Sequence, residues 1–126
     1  MREILFRAKR QATNEWVYGY FVKEYDDFQL YVQPQIITRS GREYVNENTL
    51  GQYTGLTDMN GVKIFEGDIV RYGDTIHKVI FEQRNGTAYF GLVYSPIETL
   101  PFGHYQDLRQ LEVIGDIYDN PELIGG

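Results

Sequence analysis

The chain has 126 residues, a hydrophobic content of 42% and a net charge of −6, values that suit one folded domain or two small lobes. It contains no cysteine, which excludes disulfides, thiolate nucleophiles and cysteine-based zinc sites. Residues 1–42 carry a net charge of +2 and the remainder −8, and this acidic majority argues against broad binding to phosphate backbones.

The beginning of the chain argues against a secretion signal and a membrane-spanning helix. Charged side chains at Arg2, Glu3 and Arg7 interrupt the first apolar residues. A secretion signal needs an uninterrupted apolar stretch, and a membrane-spanning helix needs a longer one. We therefore expect neither, and no association with a membrane.

The pattern of apolar and polar side chains in the N-terminal part predicts antiparallel strands. Apolar and polar side chains alternate over residues 3–9 and again over 16–22, as in half-buried strands. Gly19 within the second segment predicts a bulge or a place where a ring covers bare backbone. A third strand over residues 30–37 contains Pro34, which lacks an N–H and predicts an edge or a break.

The middle of the chain predicts a boundary followed by a dense series of turns. Residues 44–45 favour at most a short strand and residues 46–49 a polar link, so we place the boundary around residues 40–50. A type I turn is predicted at Asp58-Met59-Asn60-Gly61, and a second tight turn at Glu66-Gly67-Asp68. In this interpretation the acidic residues of the two turns accept hydrogen bonds from backbone amides.

The C-terminal part predicts hairpins and short helical turns. Two dipeptides mark hairpin turns: Gly73-Asp74 and Asn85-Gly86. The run Ser95-Pro96-Ile97-Glu98 predicts the start of a helical turn that Pro101 ends. A closing strand is predicted over residues 111–115 and a last helical turn over 119–123.

These motifs resemble those of the YopX family of phage and prophage proteins. The central motif runs Gln52-Tyr53-Thr54-Gly55-Leu56, then Asp58, Asn60-Gly61 and Ile64-Phe65-Glu66-Gly67-Asp68-Ile69-Val70. The closing motif is Val113-Ile114-Gly115-Asp116-Ile117-Tyr118-Asp119-Asn120-Pro121-Glu122-Leu123, where the family commonly has an asparagine in place of Asp116. The start, Met1-Arg2-Glu3-Ile4-Leu5-Phe6-Arg7-Ala8 followed by Trp16-Val17-Tyr18-Gly19, also fits. The resemblance implies a mainly β fold, a phage or prophage origin and a bacterial cytoplasm, but no catalytic residues.

We predict a mainly β fold in two lobes that form one or two domains. Residues 1–45 are expected to form an N-terminal antiparallel meander, and residues 50–126 a small SH3-like β-barrel with only one or two short helical turns. The SH3-like assignment rests on analogy of strand order, which does not give function. The expected core residues are Ile4, Phe6, Trp16, Ile64, Ile69, Val79, Phe81, Phe90, Leu92, Val113 and Ile114.

Catalytic and metal-binding chemistry finds little support in the sequence. The two histidines, His77 and His104, lack the spacing of a metal-ligating pair, and His77 is interpreted as a core or strand residue. Nucleophile and phosphate-binding motifs are missing as well. Asp58, Glu66 and Asp68 would suit an acid-dependent hydrolase or a Mg²⁺-dependent nuclease, but turn chemistry explains them better. We therefore expect no catalytic residue, cofactor or metal.

The remaining candidate is a surface of aromatic and basic side chains near the N-terminus: Arg7, Lys9, Arg10, Trp16, Tyr18 and Tyr20. A core strand whose ring edges reach solvent would explain the aromatic residues without any function. A protein interface is the first functional hypothesis, either for self-assembly or for a phage or host protein. Binding of nucleic acid by stacking and by the nearby cations is the alternative. The hydrolase or nuclease ranks last.

Overall fold

The computed structural model describes residues 3–25, 32–84, 86–95, 98–101 and 107–125. Within these ranges the chain is mainly β, as predicted, and forms two compact units, Met1–Tyr53 and Thr54–Gly126. The strands are β1 (Phe6–Arg10), β2 (Trp16–Tyr25), β3 (Val32–Thr38), β4 (Gly41–Thr57), β5 (Lys63–Phe65), β6 (Asp68–Tyr72), β7 (Thr75–Arg84), β8 (Thr87–Ser95), β9 (Glu98–Pro101) and β10 (Leu111–Asp116). Two 3-10 helices cover Leu108–Gln110 and Pro121–Ile124. Among the helices so described, none has the length and apolar character to cross a membrane.

The N-terminal unit is a ring of antiparallel strands. β1 pairs with β2, β2 with β3 and β3 with β4, which confirms the predicted meander. β4 then pairs back with β1 and closes the ring. Its interior consists of small and branched apolar side chains and the rings that pack against them: Ala8, Val17, Ile36, Val45, Phe6, Phe21 and Leu50. Closure leaves one face of each strand inside and the other outside.

The predicted polar link over residues 46–49 was wrong, because β4 continues through it. Opposite these residues the register with β1 shifts, so that Arg7 pairs with Gly51 but Lys9 pairs with Asn46. The buried hydroxyl of Thr49 accepts a hydrogen bond from the Lys9 amide at 2.8 Å and donates to the Asn46 carbonyl at 2.7 Å. A side chain thus replaces the missing ladder partner, and the polar residues form a bulge within the strand.

Pro34 does not break β3. It pairs with Lys23 of β2, whereas the pairing of β3 with β4 begins only at Gln35. The proline therefore lies outside the part of β3 that has neighbours on both sides. A missing N–H costs little at such a position.

The C-terminal unit contains an antiparallel sheet in the order β10-β6-β7-β8-β9. The hairpin between β6 and β7 confirms the predicted turn at Gly73-Asp74, and Gly86 has a φ of 80° in the next hairpin. The core of this unit comprises Ile64, Val70, Val79, Leu92 and Leu111. The SH3-like closure of this unit stays a prediction.

The helical turn predicted from Ser95 to Pro101 was wrong where the structure describes it. Glu98–Pro101 is an edge strand, in which Leu100 pairs with Leu92 of β8. Local capping residues matched a helix start, but pairing with β8 decides the conformation, and a terminal proline is tolerated on an edge. The predicted residues Pro96 and Ile97 lie outside the described ranges. The last helical turn is confirmed by the 3-10 helix Pro121–Ile124.

The predicted core was correct at the centres of the strands and wrong near their ends. Ile64, Ile69, Val79 and Leu92 are fully buried. Phe6 and Val113 pack against the two cores, and Phe90 and Ile114 are half-buried. Ile4 and Phe81 are exposed. Ile4 precedes the first residue of β1. Phe81 makes an edge-on contact with Phe90 of β8.

Candidate interaction surface

The aromatic residues of β2 lie on the outer face of the N-terminal ring. Val17 points into the core, and the alternation of the strand places Trp16, Tyr18 and Tyr20 on the opposite side. Tyr18 is 47% exposed and Tyr20 65% exposed, whereas Trp16 is half-buried. The prediction of Trp16 as a core residue was therefore wrong, since its side chain faces away from the interior residues of the ring.

Two neighbouring strands extend this aromatic surface. Ile37 of β3 lies opposite Tyr20, and Arg42 of β4 lies opposite Ile37. Tyr44 is two residues beyond Arg42, on the same side of β4, and is 55% exposed. Side chains at such direct and diagonal positions have Cβ atoms about 5 to 8 Å apart. We call the surface formed by Tyr18, Tyr20, Ile37 and Tyr44 the tyrosine face.

Arg7 and Lys9 are buried beside Trp16 instead of standing free in solvent. They are 6% and 4% exposed. The guanidinium carbon of Arg7 is 4.3 Å from the centre of the indole ring, and Nζ of Lys9 is 5.1 Å from it. Both distances lie within the range of cation–π attraction, which strengthens when the cation is desolvated. These two cations contact the indole ring of Trp16 and are too buried to contact a ligand.

The third predicted cation, Arg10, lies on the interior-facing side of β1 near its end. Its guanidinium forms ion pairs with Glu15 at 3.8 Å and with Glu43 at 3.3 Å. Other cations of the unit are also paired, namely Lys23 with Glu47 and Arg42 with Glu24. Because Met1–Tyr53 contains seven basic and seven acidic residues, its net charge is zero. The expected basic surface is therefore locally neutralised.

The acidic residues of the central motif hold backbone amides. One carboxylate oxygen of Asp58 accepts from the amides of Asn60 at 2.8 Å and Val62 at 2.9 Å, and the other accepts from Val113 at 2.9 Å. Asp68 is buried and accepts from the amide of Phe65 at 2.7 Å. The predicted structural roles of both residues are confirmed.

The geometry gives little support to acid-dependent hydrolysis. A cavity of about 310 Å³ beside Asp58 is lined by Thr57, Asp58, Met59, Leu108 and Arg109. Neither Glu66 nor Asp68 reaches this cavity, so it does not bring together two of the three candidate acids. A general acid and a general base would need to face the same substrate.

His77 is a buried structural residue, as predicted. Its Nδ1 lies 2.9 Å from the carbonyl oxygen of Val93, and its Nε2 lies 2.7 Å from the hydroxyl of Thr75. The centre of its ring lies 4.1 Å from that of the Tyr94 ring, and the two planes are tilted by 37°. Both ring nitrogens are thus engaged within the protein. The described residues include no group of three side chains that could hold a metal ion, and His104 lies outside them.

The exposed pair of Asp107 and Arg109, at the start of the first 3-10 helix, makes the stability of the fold depend on pH. Asp107 accepts hydrogen bonds from the side chain and the backbone of Arg109, which lower the pKa of its carboxyl below the ordinary value of 3.8. A lowered folded-state pKa stabilises the fold above the unfolded-state pKa, and the stabilisation is lost as the pH falls through the folded-state value. We expect carbon-detected NMR titration to give a midpoint below 3.8. Arg109→Gln should move the midpoint towards 3.8, and an unchanged midpoint would contradict the pairing.

Sequence reasoning missed two members of the tyrosine face, Ile37 and Tyr44. Their strand positions became clear only from the register of β3 between β2 and β4. The alternation of Tyr44 with the buried Val45 was the available signal.

Comparison with known proteins places nearly the whole chain in one family. A family profile described as "YopX protein" matches residues 5–125. A crystal structure of protein EF1440 from Enterococcus faecalis is similar, with 25% sequence identity, a TM-score of 0.58 and coverage of 98% of this chain and 99% of that one. A comparison with curated proteins finds no match. On the extent of the profile match, the chain belongs to the YopX family.

Proposed function

We propose that this YopX-family chain is a non-enzymatic protein-interaction module that binds a partner protein through the tyrosine face. One observation carries the proposal: three exposed tyrosine rings, two on β2 and one on β4, lie at direct or diagonal positions to Ile37 on the strand between them. Tyrosine is enriched at the energetic centres of protein interfaces. The setting we propose is the cytoplasm of a bacterium that carries the phage or prophage, and the partner is a phage or host protein.

The ring of strands is a suitable support for such a surface. Tyr18 and Tyr20 stand on β2, where Tyr18 is paired with Arg7 of β1 and Tyr20 with Ile37 of β3. A fixed backbone and side chains with few rotatable bonds lose little conformational entropy on binding. The cation–π contacts with Arg7 and Lys9 hold Trp16 in place next to Tyr18. The arrangement supports a preformed binding face.

The size of the tyrosine face fits the centre of an interface. Three half-exposed tyrosine rings offer on the order of 300 Å² of ring surface. A stable interface buries about 800 Å² on each partner. The polar residues next to the face, Glu24 and Arg42, would then belong to the rim, where they already form an ion pair.

Charge favours a different protein over a second copy or a nucleic acid. The chain carries a net charge of −6, so two copies repel each other at long range. The tyrosine face lies on a unit whose net charge is zero, and the nearby cations Arg7 and Lys9 are buried. Binding to phosphate backbones depends on accessible cations. A partner with a positive net charge fits these conditions best.

The double substitution Tyr20→Ser/Tyr44→Ser is expected to weaken partner binding strongly without unfolding the chain. Removing two central tyrosines should weaken binding by at least about 100-fold, since each central residue commonly contributes 2 kcal/mol or more. Affinity capture from bacteria carrying the phage should give candidate partners. Titration calorimetry of the purified pair then measures the change in affinity.

The matched control is Tyr118→Ser, because Tyr118 is another exposed tyrosine but lies in the C-terminal unit. We expect this variant to bind as the wild type does. Equal affinity for the wild type and the double variant would contradict the proposal. Binding of single-stranded nucleic acid in a low-salt gel shift, lost in the double variant, would favour the alternative function.

A further inference from the structure

A cavity of about 390 Å³ lies within the C-terminal unit and shares no residue with the tyrosine face. Its volume falls in the range of natural small-molecule sites. The walls come from β7, from the end of β8 and from the 3-10 helix Pro121–Ile124, which packs against β7. The lining residues are Ile76, His77, Lys78, Val93, Tyr94, Ser95, Leu123 and Ile124. We call this cavity the β7 groove.

Most of the β7 groove is apolar. Ile76, Val93, Leu123 and Ile124 line it with aliphatic side chains. Ile76 is 41% exposed and Ile124 is 39% exposed, so aliphatic groups on two of its walls reach solvent. His77 contributes only its ring, because both of its nitrogens are bonded within the protein. A ligand that fills this groove therefore needs an apolar body.

Lys78 is the cation of the groove, and it is half-buried. Other described cations, such as Lys23, Arg71 and Arg109, form ion pairs with carboxylates. Within the ranges that the structure describes, Lys78 forms no ion pair, and none of the residues that line the groove carries a carboxylate. A cation that is partly removed from water favours contact with an anionic group. The groove therefore offers an apolar wall and one positive charge.

The charge of the surrounding unit restricts the anions that this groove can hold. Residues 54–126 contain five basic and eleven acidic residues, a net charge of −6. This charge repels anions at long range. A small hydrated anion gains too little from one partly exposed lysine to overcome that repulsion. An anion with an apolar body also gains from the removal of apolar surface from water, so both parts of the ligand are needed.

We propose that the β7 groove binds a small carboxylic acid that has a branched aliphatic or aromatic body. The carboxylate accepts a hydrogen bond from the ammonium group of Lys78, and the body packs against Ile76, Val93 and Ile124. For a ligand of this size we expect a Kd on the order of 0.1 to 1 mM. This inference is independent of the tyrosine face.

Phenylacetate is the probe, with phenylacetamide as its neutral counterpart and acetate as a carboxylate without an apolar body. Each is titrated at neutral pH into the isotope-labelled chain, and the backbone amide signals are followed by NMR. We expect phenylacetate to shift the amides of Ile76, Lys78 and Ile124 in a saturable manner. Phenylacetamide should bind about 5- to 10-fold more weakly, because Lys78 does not attract a neutral group. Acetate should produce no saturable shift.

The substitution Lys78→Met removes the ammonium group and keeps a long apolar side chain. We expect this variant to bind phenylacetate about 5- to 10-fold more weakly than the wild type does, and phenylacetamide with the same affinity. The matched control is Lys63→Met, which makes the same change of charge at an exposed lysine of the same unit, outside the groove. This control should bind both compounds as the wild type does. Ile124→Ser should weaken the binding of both, because it removes part of the apolar wall.

Each of three results would overturn the inference. The first is a titration in which phenylacetate shifts no amide of the groove in a saturable manner. The second is equal affinity of the wild type for phenylacetate and phenylacetamide, which would show that Lys78 only covers the apolar wall with its stem. The third is unchanged affinity for phenylacetate in folded Lys78→Met. The comparison of acid and amide needs no variant, so it decides the matter even if Lys78→Met does not fold.

Discussion

Replacing Gly19 by alanine is expected to destabilise the N-terminal ring by about 3 kcal/mol or more. A Cβ atom at this position would lie 2.1 Å from the carbonyl oxygen of Ile37 and 3.0 Å from Cγ2 of Ile36. The first neighbour is backbone, and moving it would disturb the pairing of β2 with β3. A flexible side chain could yield to the new methyl group, but this carbonyl cannot. Urea unfolding followed by the fluorescence of Trp16, the single tryptophan, measures the loss.

Tyr20→Ala is the matched control on the same strand. Its side chain points outward and is 65% exposed, so we expect a change within about 1 kcal/mol. A Gly19→Ala protein as stable as the wild type would contradict the close approach of β3 to this glycine. That approach also corrects the expected bulge or covering ring, because a backbone carbonyl fills the space next to Gly19.

Replacing Asp58 by alanine is expected to cost about 3 to 5 kcal/mol. The substitution removes the acceptor of three backbone amides, those of Asn60, Val62 and Val113. Asp58 is buried, so water cannot readily replace the carboxylate without rearrangement of the turn. Denaturant unfolding monitored by circular dichroism measures the effect.

Asp74→Ala is the control, since Asp74 is exposed in the β6–β7 turn, and we expect a change within about 0.5 kcal/mol. A catalytic acid can usually be replaced with little loss of stability, so a stable Asp58→Ala protein would contradict the structural role. It would also reopen the hypothesis of an acid-dependent enzyme.

Short-range chemistry explains the features that could be predicted from the sequence. Asp58 accepts from amides two and four residues ahead, and Asp68 from an amide three residues behind. Such contacts follow from turn geometry and need no knowledge of the fold. The alternation of residues along β2 likewise places Tyr18 and Tyr20 on one face before any partner strand is known.

Long-range pairing decides the features that could not be predicted. The bulge of β4 depends on a hydrogen bond between Lys9 and Thr49, which are 40 residues apart. The burial of Arg7 depends on Trp16 and on the return of β4 to β1. Residues 98–101 carry helix-start signals but pair with β8. In each of these places a contact distant in sequence overrides the local preference.

The charge of the N-terminal unit shows the same limitation. Residues 1–42 carry a net charge of +2, whereas the unit Met1–Tyr53 is neutral. Glu43 and Glu47 account for the difference, and they pair with Arg10 and Lys23. Counted over the whole unit, the charge gives no electrostatic support for binding nucleic acid, and the exposed tyrosines are the feature that favours a protein partner.

Site-specific photo-cross-linking in bacteria that produce this protein tests the proposed binding face most directly. A benzophenone side chain is placed at Tyr20, at Tyr44 or, as the control, at Tyr118. We expect the same discrete protein adduct from positions 20 and 44 and no such adduct from position 118. Adducts that form equally at all three positions, or at position 118 only, would contradict the assignment of the tyrosine face as the binding surface.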